Sequence, residues 1–575
     1  MTEGARLHWY PMAIGTACRR RGLRWRDYLA LRMARFAPPA KAFKSQPDPR
    51  SYGLATRGLQ VLAGNHLVQG DVVEQGKGVL WGVALDDPDT AAALHGFNWL
   101  DDVVAVDTPE ARKQAQLWLF DWIDRFGGGR GSGWAPDVTG RRVVRWINHA
   151  ILILHQAEAD QSRAYFAALG HQSRFLMKRW KSAHAGLPRF EALTGLVYCG
   201  LALEGQDHVL KPALRALGRE CQREIAEDGG IASRNPEELV EIFTLLSSVN
   251  QTVSADGDYI NPEIIRALQR MAPAIRALRV GDGTMARFHG GDAGHPDRID
   301  QALADAGIGS PAREGGAMGF ARLAAGGTVV LMDSAKLPMT GAPDRAHAST
   351  LAIEMYSGKL PVLVSMGSAR GFSANLHSAA RATAAHSAVT VAGTSLARFA
   401  GSGFVRRIYG QQLIDAPRKI TLERDNNQYG QAVLCSHDGY VPSFGLTHSR
   451  EIAVLHSGAE VQGHDRIFAR SPVEQSRFET AAADMGQNRE IPFAAHFRLH
   501  PDARVDLDMA DTAASITLPN EEVWLLRAGG LKLTLHDTLY FEQGRLAPRA
   551  TKEVVVTSAV VEYEGVIRWT LSRPA

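Results

Sequence analysis

Apolar positions follow a helical period in the first half of the chain and a strand-like period in the second. Between Thr108 and Met271, apolar residues recur every three to four positions, the spacing that gathers them on one face of a helix. Helices are predicted at 111–126, 142–157, 162–183, 190–203, 209–227, 236–250 and 262–277. Because short loops join these segments, we expect antiparallel helical hairpins that curl into an incomplete toroid.

Near residue 310 the pattern changes to short β-rich runs separated by Gly, Asp and Asn. The runs are 328–332, 350–356, 361–364, 388–391, 404–411, 419–423, 431–436, 451–456, 493–499, 514–518, 523–527, 531–535 and 553–556. Many short strands with turns and no helices between them predict an antiparallel β-sandwich. Weak alternation at Leu59, Val61, Val68 and Val72 adds a small β element before the helices.

These patterns divide the chain into three parts. We expect an N-terminal basic helix and small β extension over 1–89, an (α/α) toroid over 90–310, and an antiparallel β-sandwich over 311–575. A chain of 575 residues is too long for one hydrophobic core, which agrees with this division. The composition, 45% apolar and 22% charged, is that of a folded protein.

Charge and cysteine content limit the kinds of partner, metal site and cellular location that the sequence favours. A net charge of +3 gives no reason to expect a nucleic-acid partner. The four cysteines lie far apart, without the spacing of a zinc knuckle or a disulfide framework. No run approaches the roughly 20 apolar residues of a transmembrane helix. Because the N-terminus also lacks the pattern of a signal peptide, a cytoplasmic location is expected, with export to the periplasm by another route as the alternative.

The N-terminal segment is strongly basic. Arg19, Arg20, Arg21, Arg24 and Arg26 open a helix predicted to run through residue 35. One interpretation is a solvated helix that packs on the protein through its apolar side. The other is a helix that contacts an anionic membrane surface. The first is favoured, because charged helix faces are usually only solvated.

Three segments of the β-rich half point to one family. They are Arg345-Ala346-His347-Ala348-Ser349, Ser365-Met366-Gly367 and Ala385-His386-Ser387-Ala388. In order and spacing they resemble the His-x-His-x-Asp, Asp-x-Gly and Ala-His-Asn-Thr elements of the heparinase II/III family. In the helical half, 97–102, 134–142 with Trp146, and 228–236 also resemble that family. The resemblance covers the chain from about residue 90 to its C-terminus.

The resemblance implies an (α/α) toroid on a β-sandwich, with an anionic polysaccharide in the cleft between them. It also implies β-elimination at a uronic acid. That reaction needs a cation for the carboxylate, a base for the C5 proton and an acid for the leaving oxygen. The cation is essential because negative charge builds up in the enolate-like transition state. Tyr and His are the usual base and acid, and some members hold a structural zinc.

The chain departs from this pattern at several of the family's functional positions. Arg345 stands at the first His of His-x-His, Ser349 at its closing Asp, and Ser365 at the strand-end Asp. In the helical half, Leu187-Pro188 stands at the Asn-His of the family, and Glu238 falls near the expected tyrosine. Much of the lyase apparatus is therefore absent.

The remaining histidines and arginines are the candidates for chemistry. His386 and His347 are the best proton-transfer groups. Arg345 offers a bidentate cation for a carboxylate, and Asn148 offers a hydrogen bond. The predicted substrate-binding residues are Arg234, Arg381, His149 and Trp146. The competing interpretation is that these side chains are packed or surface residues, and tryptophans at helical spacing more often lie in a core.

No cofactor is predicted, because His347 and His386 without the carboxylate make a poor zinc site. Two functions remain open. The first is a polysaccharide lyase-like enzyme that cleaves a uronate-containing glycan by β-elimination. The second is a non-catalytic glycan-binding or exopolysaccharide-assembly protein that has lost the lyase residues. The first is favoured because the resemblance covers both halves of the chain, and in both cases the partner is an anionic polysaccharide or oligosaccharide.

Overall fold

The structure is a computed structural model of the 575-residue chain. It describes residues 9–34, 40–45, 53–68, 71–74, 80–81, 88–129, 131–255, 257, 261–338, 345–370, 372–399, 412–486, 489–542, 545 and 547–574. The predicted strand at 404–411 lies outside these residues. Among them, no helix combines the length and the apolar character needed to cross a membrane.

Helices dominate the described residues between Trp9 and Ala306. They are α1 (Trp9–Ala34), α2 (Ala55–Leu62), α3 (Pro88–His95), α4 (Asn98–Ala105), α5 (Pro109–Phe126), α6 (Pro136–Asn148), α7 (Ala150–Leu154), α8 (Ala159–Arg179), α9 (Leu187–Ala202), α10 (Asp207–Glu224), α11 (Pro236–Ala255), α12 (Pro262–Leu278) and α13 (Pro296–Ala306). Six of them begin at a proline, because the fixed φ of proline suits a first turn; they are α3, α5, α6, α11, α12 and α13.

The central helix of this half is α9. It is buried along nearly its whole length and packs against α6, α10 and α11. Glycines allow α6 and α9 to approach closely, since a Cβ on Gly195 would lie 2.7 Å from Cα of Gly140. Packed helical hairpins of this kind are the predicted incomplete toroid, and that part of the fold is confirmed.

Two sequence predictions in the helical half are wrong in detail. The predicted helix at 142–157 begins earlier, at Pro136, and is interrupted at His149, whose φ of −100° and ψ of 16° leave the helical region. Leu59 and Val61 were predicted in a β element but lie in α2. The short hairpin of β1 (Asn65–Val68) and β2 (Asp71–Glu74) follows that helix.

The rest of the chain forms antiparallel sheets. A five-stranded sheet joins β3 (Gly316–Ala317), β4 (Phe320–Ala325), β5 (Thr328–Asp333), β6 (Ile353–Ser357) and β7 (Leu360–Leu363). The change from helix to strand falls between Ala306 and Gly316. Small elements follow, namely α14 (Ala374–Ala380), β9 (Arg398–Phe399), β10 (Leu413–Ile414), α15 (Val441–Phe444) and α16 (Pro472–Met485).

Two larger sheets form the sandwich. The eight-stranded sheet has the order β11 (Ile420–Asn426), β12 (Gly430–Tyr440), β13 (Leu446–Leu455), β14 (Glu460–Phe468), β21 (Glu564–Ser572), β18 (Val523–Arg527), β17 (Ala513–Thr517) and β16 (Arg504–Asp508). The four-stranded sheet has the order β19 (Leu533–Tyr540), β20 (Arg549–Val560), β15 (Ile491–Arg498) and β8 (Val389–Val391). Phe497 of β15 packs edge-on against Trp569 of β21, with ring centroids 5.0 Å apart. The predicted antiparallel β-sandwich is therefore confirmed.

Candidate functional site

Two candidate histidines meet in the β half. Nδ1 of His347 lies 3.2 Å from Nε2 of His386. His347 precedes β6, and His386 follows the 3-10 turn Thr383–Ala385 and precedes β8. A bridge between Ile353 and Ser387 brings these two segments together. Both imidazoles are enclosed, with exposures of 3% and 0%.

Burial keeps this histidine pair neutral. Burial, together with nearby His289 and Arg498, lowers the pKa of His386 to about 3. Burial, reinforced by His386 and His289, also places the pKa of His347 well below its ordinary value. An imidazole with so low a pKa is a weak proton acceptor at neutral pH. Enclosure also separates the pair from any ligand in solution.

A buried carboxylate at the end of β5 organises the region beside the pair. Asp333 accepts hydrogen bonds from Nη2 of Arg234 at 2.6 Å and from the hydroxyl of Ser349 at 2.8 Å. It also lies 3.3 Å from Nε2 of His289. Burial alone would raise the pKa of Asp333, but Arg234 and His289 outweigh it and hold that pKa well below its usual range.

The two arginines predicted to bind substrate donate to the protein itself. Arg234 bonds to Asp333 and to four main-chain oxygens of the β half, those of Met318, Gly319, Lys336 and Ala335, at 3.0, 2.9, 2.8 and 3.4 Å. Arg381 is fully buried. Its Nε donates to the carbonyl oxygen of Ala346 at 2.8 Å, and its guanidinium stands 5.1 Å from the ring centroid of Phe399.

Arg345 also meets a carboxylate of the chain. Its Nη1 lies 2.6 Å from Oε1 of Glu238, on the first turn of α11. Arg345 comes from the β half and Glu238 from the helical half, so the pair stands at the junction between them. By the resemblance to the family, Arg345 stands at the first His of His-x-His and Glu238 falls near the expected tyrosine. In the structure the two replacements neutralise each other.

Further ion pairs continue from this junction along the helical half. Arg141 lies 3.1 Å from Asp137 and 3.2 Å from Glu191. Arg145 and His149 lie 2.7 and 2.9 Å from the two carboxylate oxygens of Asp101. The ion-pair row consists of Arg345, Glu238, Arg141, Asp137, Glu191, Arg145, Asp101 and His149. Its cations and carboxylates are matched within the protein, so the row presents little net positive charge.

The carboxylates of the row differ in their acidity. Burial raises the pKa of Glu191 to about 7, although Arg141 opposes the shift. Burial also disfavours the ionised form of Asp101, but Arg145 and His149 outweigh it and lower its pKa. Glu191 therefore changes its charge near neutral pH.

The candidates on α6 divide between core and junction. Trp146 is fully buried and stacks on Tyr165, with centroids 5.5 Å apart and 18° between the ring planes. Asn148 ends the helix, and its buried Oδ1 has no hydrogen-bond partner among the described residues. His149 belongs to the ion-pair row. The structure thus unites His347 with His386, and places Asn148 and Trp146 elsewhere.

The residues present do not fit a zinc ion. His347 and His386 supply two nitrogen donors, and the third family position is Ser365, whose hydroxyl is a poor zinc ligand. Within the described ranges, no group of three or more His, Cys, Asp or Glu side chains has the arrangement to hold a metal. We therefore assign no metal-dependent chemistry to the histidine pair.

Sequence reasoning missed His289, Asp333 and Glu191. A signal existed for Asp333, because a carboxylate directly after the apolar run at 328–332 is unusual unless it has a buried partner. Glu191 and His289 lack such a signal, since their partners are distant in sequence.

Comparison with known proteins identifies the family. The sequence model described as heparinase II/III-like, C-terminal, matches residues 307–570. FtsZ-localized protein C of Caulobacter vibrioides (strain NA1000 / CB15N) is 30% identical over 538 residues, covering 91% of each chain. The chain belongs to the heparinase II/III-like family. This membership was the expectation drawn from the motifs, and it is confirmed.

Solved structures share the fold of this heparinase II/III-like protein. Heparinase III superposes with a TM-score of 0.66 at 12% identity, covering 92% of this chain and 87% of its own. Heparan sulfate lyase HepC from Pedobacter heparinus gives a TM-score of 0.53 at 12% identity, covering 95% and 87%. At this level of identity the likeness concerns the architecture of toroid and sandwich.

Proposed function

We propose that this heparinase II/III-like protein is non-catalytic and acts as a binding protein in the assembly that contains FtsZ. The observation that carries the first part is the 2.6 Å ion pair between Arg345 and Glu238. β-Elimination needs a cation that meets the substrate carboxylate as charge develops on it. Arg345 stands at a family working position but meets a carboxylate of its own chain.

The rest of the candidate apparatus supports the same proposal. His347 and His386 are enclosed and neutral, and the guanidinium groups of Arg234 and Arg381 bond to protein oxygens. Binding a polyanion would require the ion-pair row to exchange its internal partners for the ligand. Such an exchange gains little free energy, because each arginine gives up a carboxylate of the protein to bind a carboxylate of the ligand.

The second part rests on the Caulobacter relative, which is named for its localisation with FtsZ. Its similarity covers 91% of both chains and therefore spans the toroid as well as the sandwich. This chain therefore matches the relative over both halves, and not over one domain alone. We accordingly expect this chain to associate with FtsZ filaments.

A lyase assay tests the non-catalytic part. Purified protein is incubated with a panel of uronic-acid polymers, including the exopolysaccharide of its source organism, while the ultraviolet absorbance of unsaturated uronates is followed. We expect no rise above a heat-denatured control. The proposal would be overturned if the absorbance rises with wild-type protein and does not rise with His386→Ala. Circular dichroism must show that this variant is folded.

Co-sedimentation tests the association with FtsZ. FtsZ from the same organism is assembled with GTP, and the full-length protein is pelleted with it. We expect the protein in the pellet with GTP and in the supernatant with GDP or without FtsZ. A fluorescent fusion should gather at mid-cell with FtsZ. Protein that stays in the supernatant under every assembling condition contradicts the association and leaves the lyase result unaffected.

A further inference from the structure

One side of α1 holds this helix against the helical half of the protein. Ala30 and Ala34 are buried. The carboxylate of Asp27 accepts hydrogen bonds from Nε of Arg179 and, at 3.3 Å, from the hydroxyl of Ser182. With about 100° between successive residues, these three side chains of α1 share one side of the helix. The opposite side must therefore face away from the protein.

That outward face carries large apolar side chains. Trp25, Tyr28, Leu29 and Met33 are 66%, 56%, 40% and 56% exposed. Their spacing of three, four and eight residues places them together on the side opposite Ala30 and Ala34. They are four of the fifteen large hydrophobic side chains recorded as exposed among the described residues, and the others are scattered. A grouped apolar surface of this kind marks an interaction site.

The charge of the helix indicates what covers the face. The sequence of α1 contains six arginines and one acidic residue, Asp27, which is bound to Arg179. Arg21 and Arg32 are exposed within the arc that the apolar side chains span, and Arg26 is exposed at the edge of that arc. A second copy of the chain would bring two such arginine-rich helices together, and like charges would repel. An anionic surface would instead attract them.

The residue types fit a lipid surface. Trp and Tyr combine an apolar ring with a polar edge and prefer the boundary between acyl chains and headgroups. Arginine extends along apolar surface while its guanidinium reaches phosphate groups. We propose that the outward face of α1, made of Trp25, Tyr28, Leu29, Met33 and the three exposed arginines, docks the protein on an anionic lipid bilayer.

The docking is monotopic. Because the inner side of α1 is held by Asp27 and the two alanines, the helix lies flat in the headgroup region with its axis parallel to the bilayer. The helical half then sits directly on the membrane. This inference does not depend on the proposed association with FtsZ, since it follows from the exposure and charge of one helix.

Vesicle sedimentation tests the docking with the full-length protein. Vesicles of phosphatidylglycerol and phosphatidylcholine are compared with vesicles of phosphatidylcholine alone, at low and at physiological salt. We expect binding to the anionic vesicles that weakens with salt. Trp25→Ser with Leu29→Ser should weaken partitioning about tenfold or more. Replacing Arg21, Arg26 and Arg32 by Gln should weaken it about a hundredfold.

A matched control removes equally exposed apolar side chains elsewhere on the helical half. Leu117 and Ile151 are 56% and 70% exposed, and Leu117→Ser with Ile151→Ser should bind vesicles like the wild type. Thermal unfolding of each variant shows that it remains folded. The proposal fails if wild-type protein ignores anionic vesicles at low salt, or if both double variants bind alike. It also fails if Trp25→Ser with Leu29→Ser turns a dimer into a monomer in light scattering, because the face would then bind a second copy.

Discussion

Glu237 is a single residue whose charge state should affect stability at neutral pH. It lies in the first turn of α11, where Oε2 accepts a hydrogen bond from the backbone N–H of Asp292 at 3.0 Å. Burial and the negative charge of Asp292 raise its pKa to about 7. In the unfolded chain the pKa is near 4.5. Between pH 4.5 and 7 the folded protein therefore retains a proton that the unfolded chain has lost.

From this we predict that Glu237→Gln stabilises the protein at alkaline pH. A raised carboxyl pKa means that stability falls as pH rises through this window. Gln keeps an oxygen for the Asp292 N–H and cannot ionise, so the loss disappears. We expect the variant to gain about 2 kcal/mol over wild type at pH 8 and little at pH 4. Denaturant unfolding at both pH values measures the difference, and a gain that is equal at the two would contradict this assignment.

The residue scale also shows where prediction from sequence ends. Arg345 and Glu238 were each recognised as departures from the family pattern, because a motif fixes the expected residue at a position. Their mutual contact was not predicted, since 107 residues separate them and nothing local couples their identities. Likewise, the charge of Arg234 and Arg381 is what makes them candidate substrate-binding residues in the sequence. The carbonyl oxygens that they contact carry no sequence signal.

At the scale of secondary structure, the apolar period predicts the helices well but predicts where each helix begins and ends less accurately. Helices packed on one side keep a clear apolar period, so α5 and α8 to α12 were found within a few residues. The period says nothing about a local break, and the interruption at His149 was missed. The segment at Leu59 and Val61 is too short to separate period two from period 3.6. It was therefore misassigned.

A buried ionic network joins three neighbouring strands. Asp465 of β14 accepts from Nε and Nη2 of Arg450 in β13 at 2.7 and 3.0 Å, and from Nε1 of Trp569 in β21 at 3.0 Å. His448 of β13 lies 2.9 Å from the same carboxylate. Arg450 also donates to the carbonyl oxygen of Ser387, next to His386. The network thus supports the segment that carries the histidine pair.

We predict that Asp465→Asn destabilises the sandwich by about 3–5 kcal/mol, because it leaves Arg450 buried without a counter-ion. Burial opposes the ionised form of Asp465, but Arg450 and His448 outweigh it and lower its pKa below the usual range. A depressed pKa gives stability that is present above the unfolded pKa of about 3.9 and is lost only in stronger acid. The deficit of the variant should be constant from pH 5 to 8, measured by thermal unfolding.

Asp506→Asn is the control for this change. Asp506 lies exposed on β16 of the same sheet, so its substitution should alter stability by less than about 0.5 kcal/mol. Equal effects of Asp465→Asn and Asp506→Asn would show that the network contributes nothing specific.

On the scale of the whole molecule, the hydrophobic core of the helical half reaches into the β half, whose sandwich has a core of its own. The core cluster of the helical half extends to Phe320, Leu331 and Tyr356 of the five-stranded sheet. Phe288 packs on Phe320, with ring centroids 4.7 Å apart. Beside this contact, the side chain of Arg234 extends from the loop before α11 into the β half, where it forms an ion pair with Asp333. Apolar packing, the buried Arg234–Asp333 pair and the Arg345–Glu238 pair therefore connect the two halves.

The last prediction concerns this connection. Arg234→Met should destabilise the protein by about 3–5 kcal/mol, because Asp333 is left buried and charged without its main partner. Since the pair links the halves, calorimetry should show two separated unfolding transitions where the wild type shows one. Arg234→Met combined with Asp333→Asn should recover part of the loss, since a neutral amide costs less to bury than an unpaired carboxylate. Arg266→Met, at an exposed arginine of α12, is the matched control and should unfold like the wild type. Strictly additive losses in the double variant would show that Arg234 and Asp333 do not stabilise each other, and would contradict a role of this pair in connecting the halves.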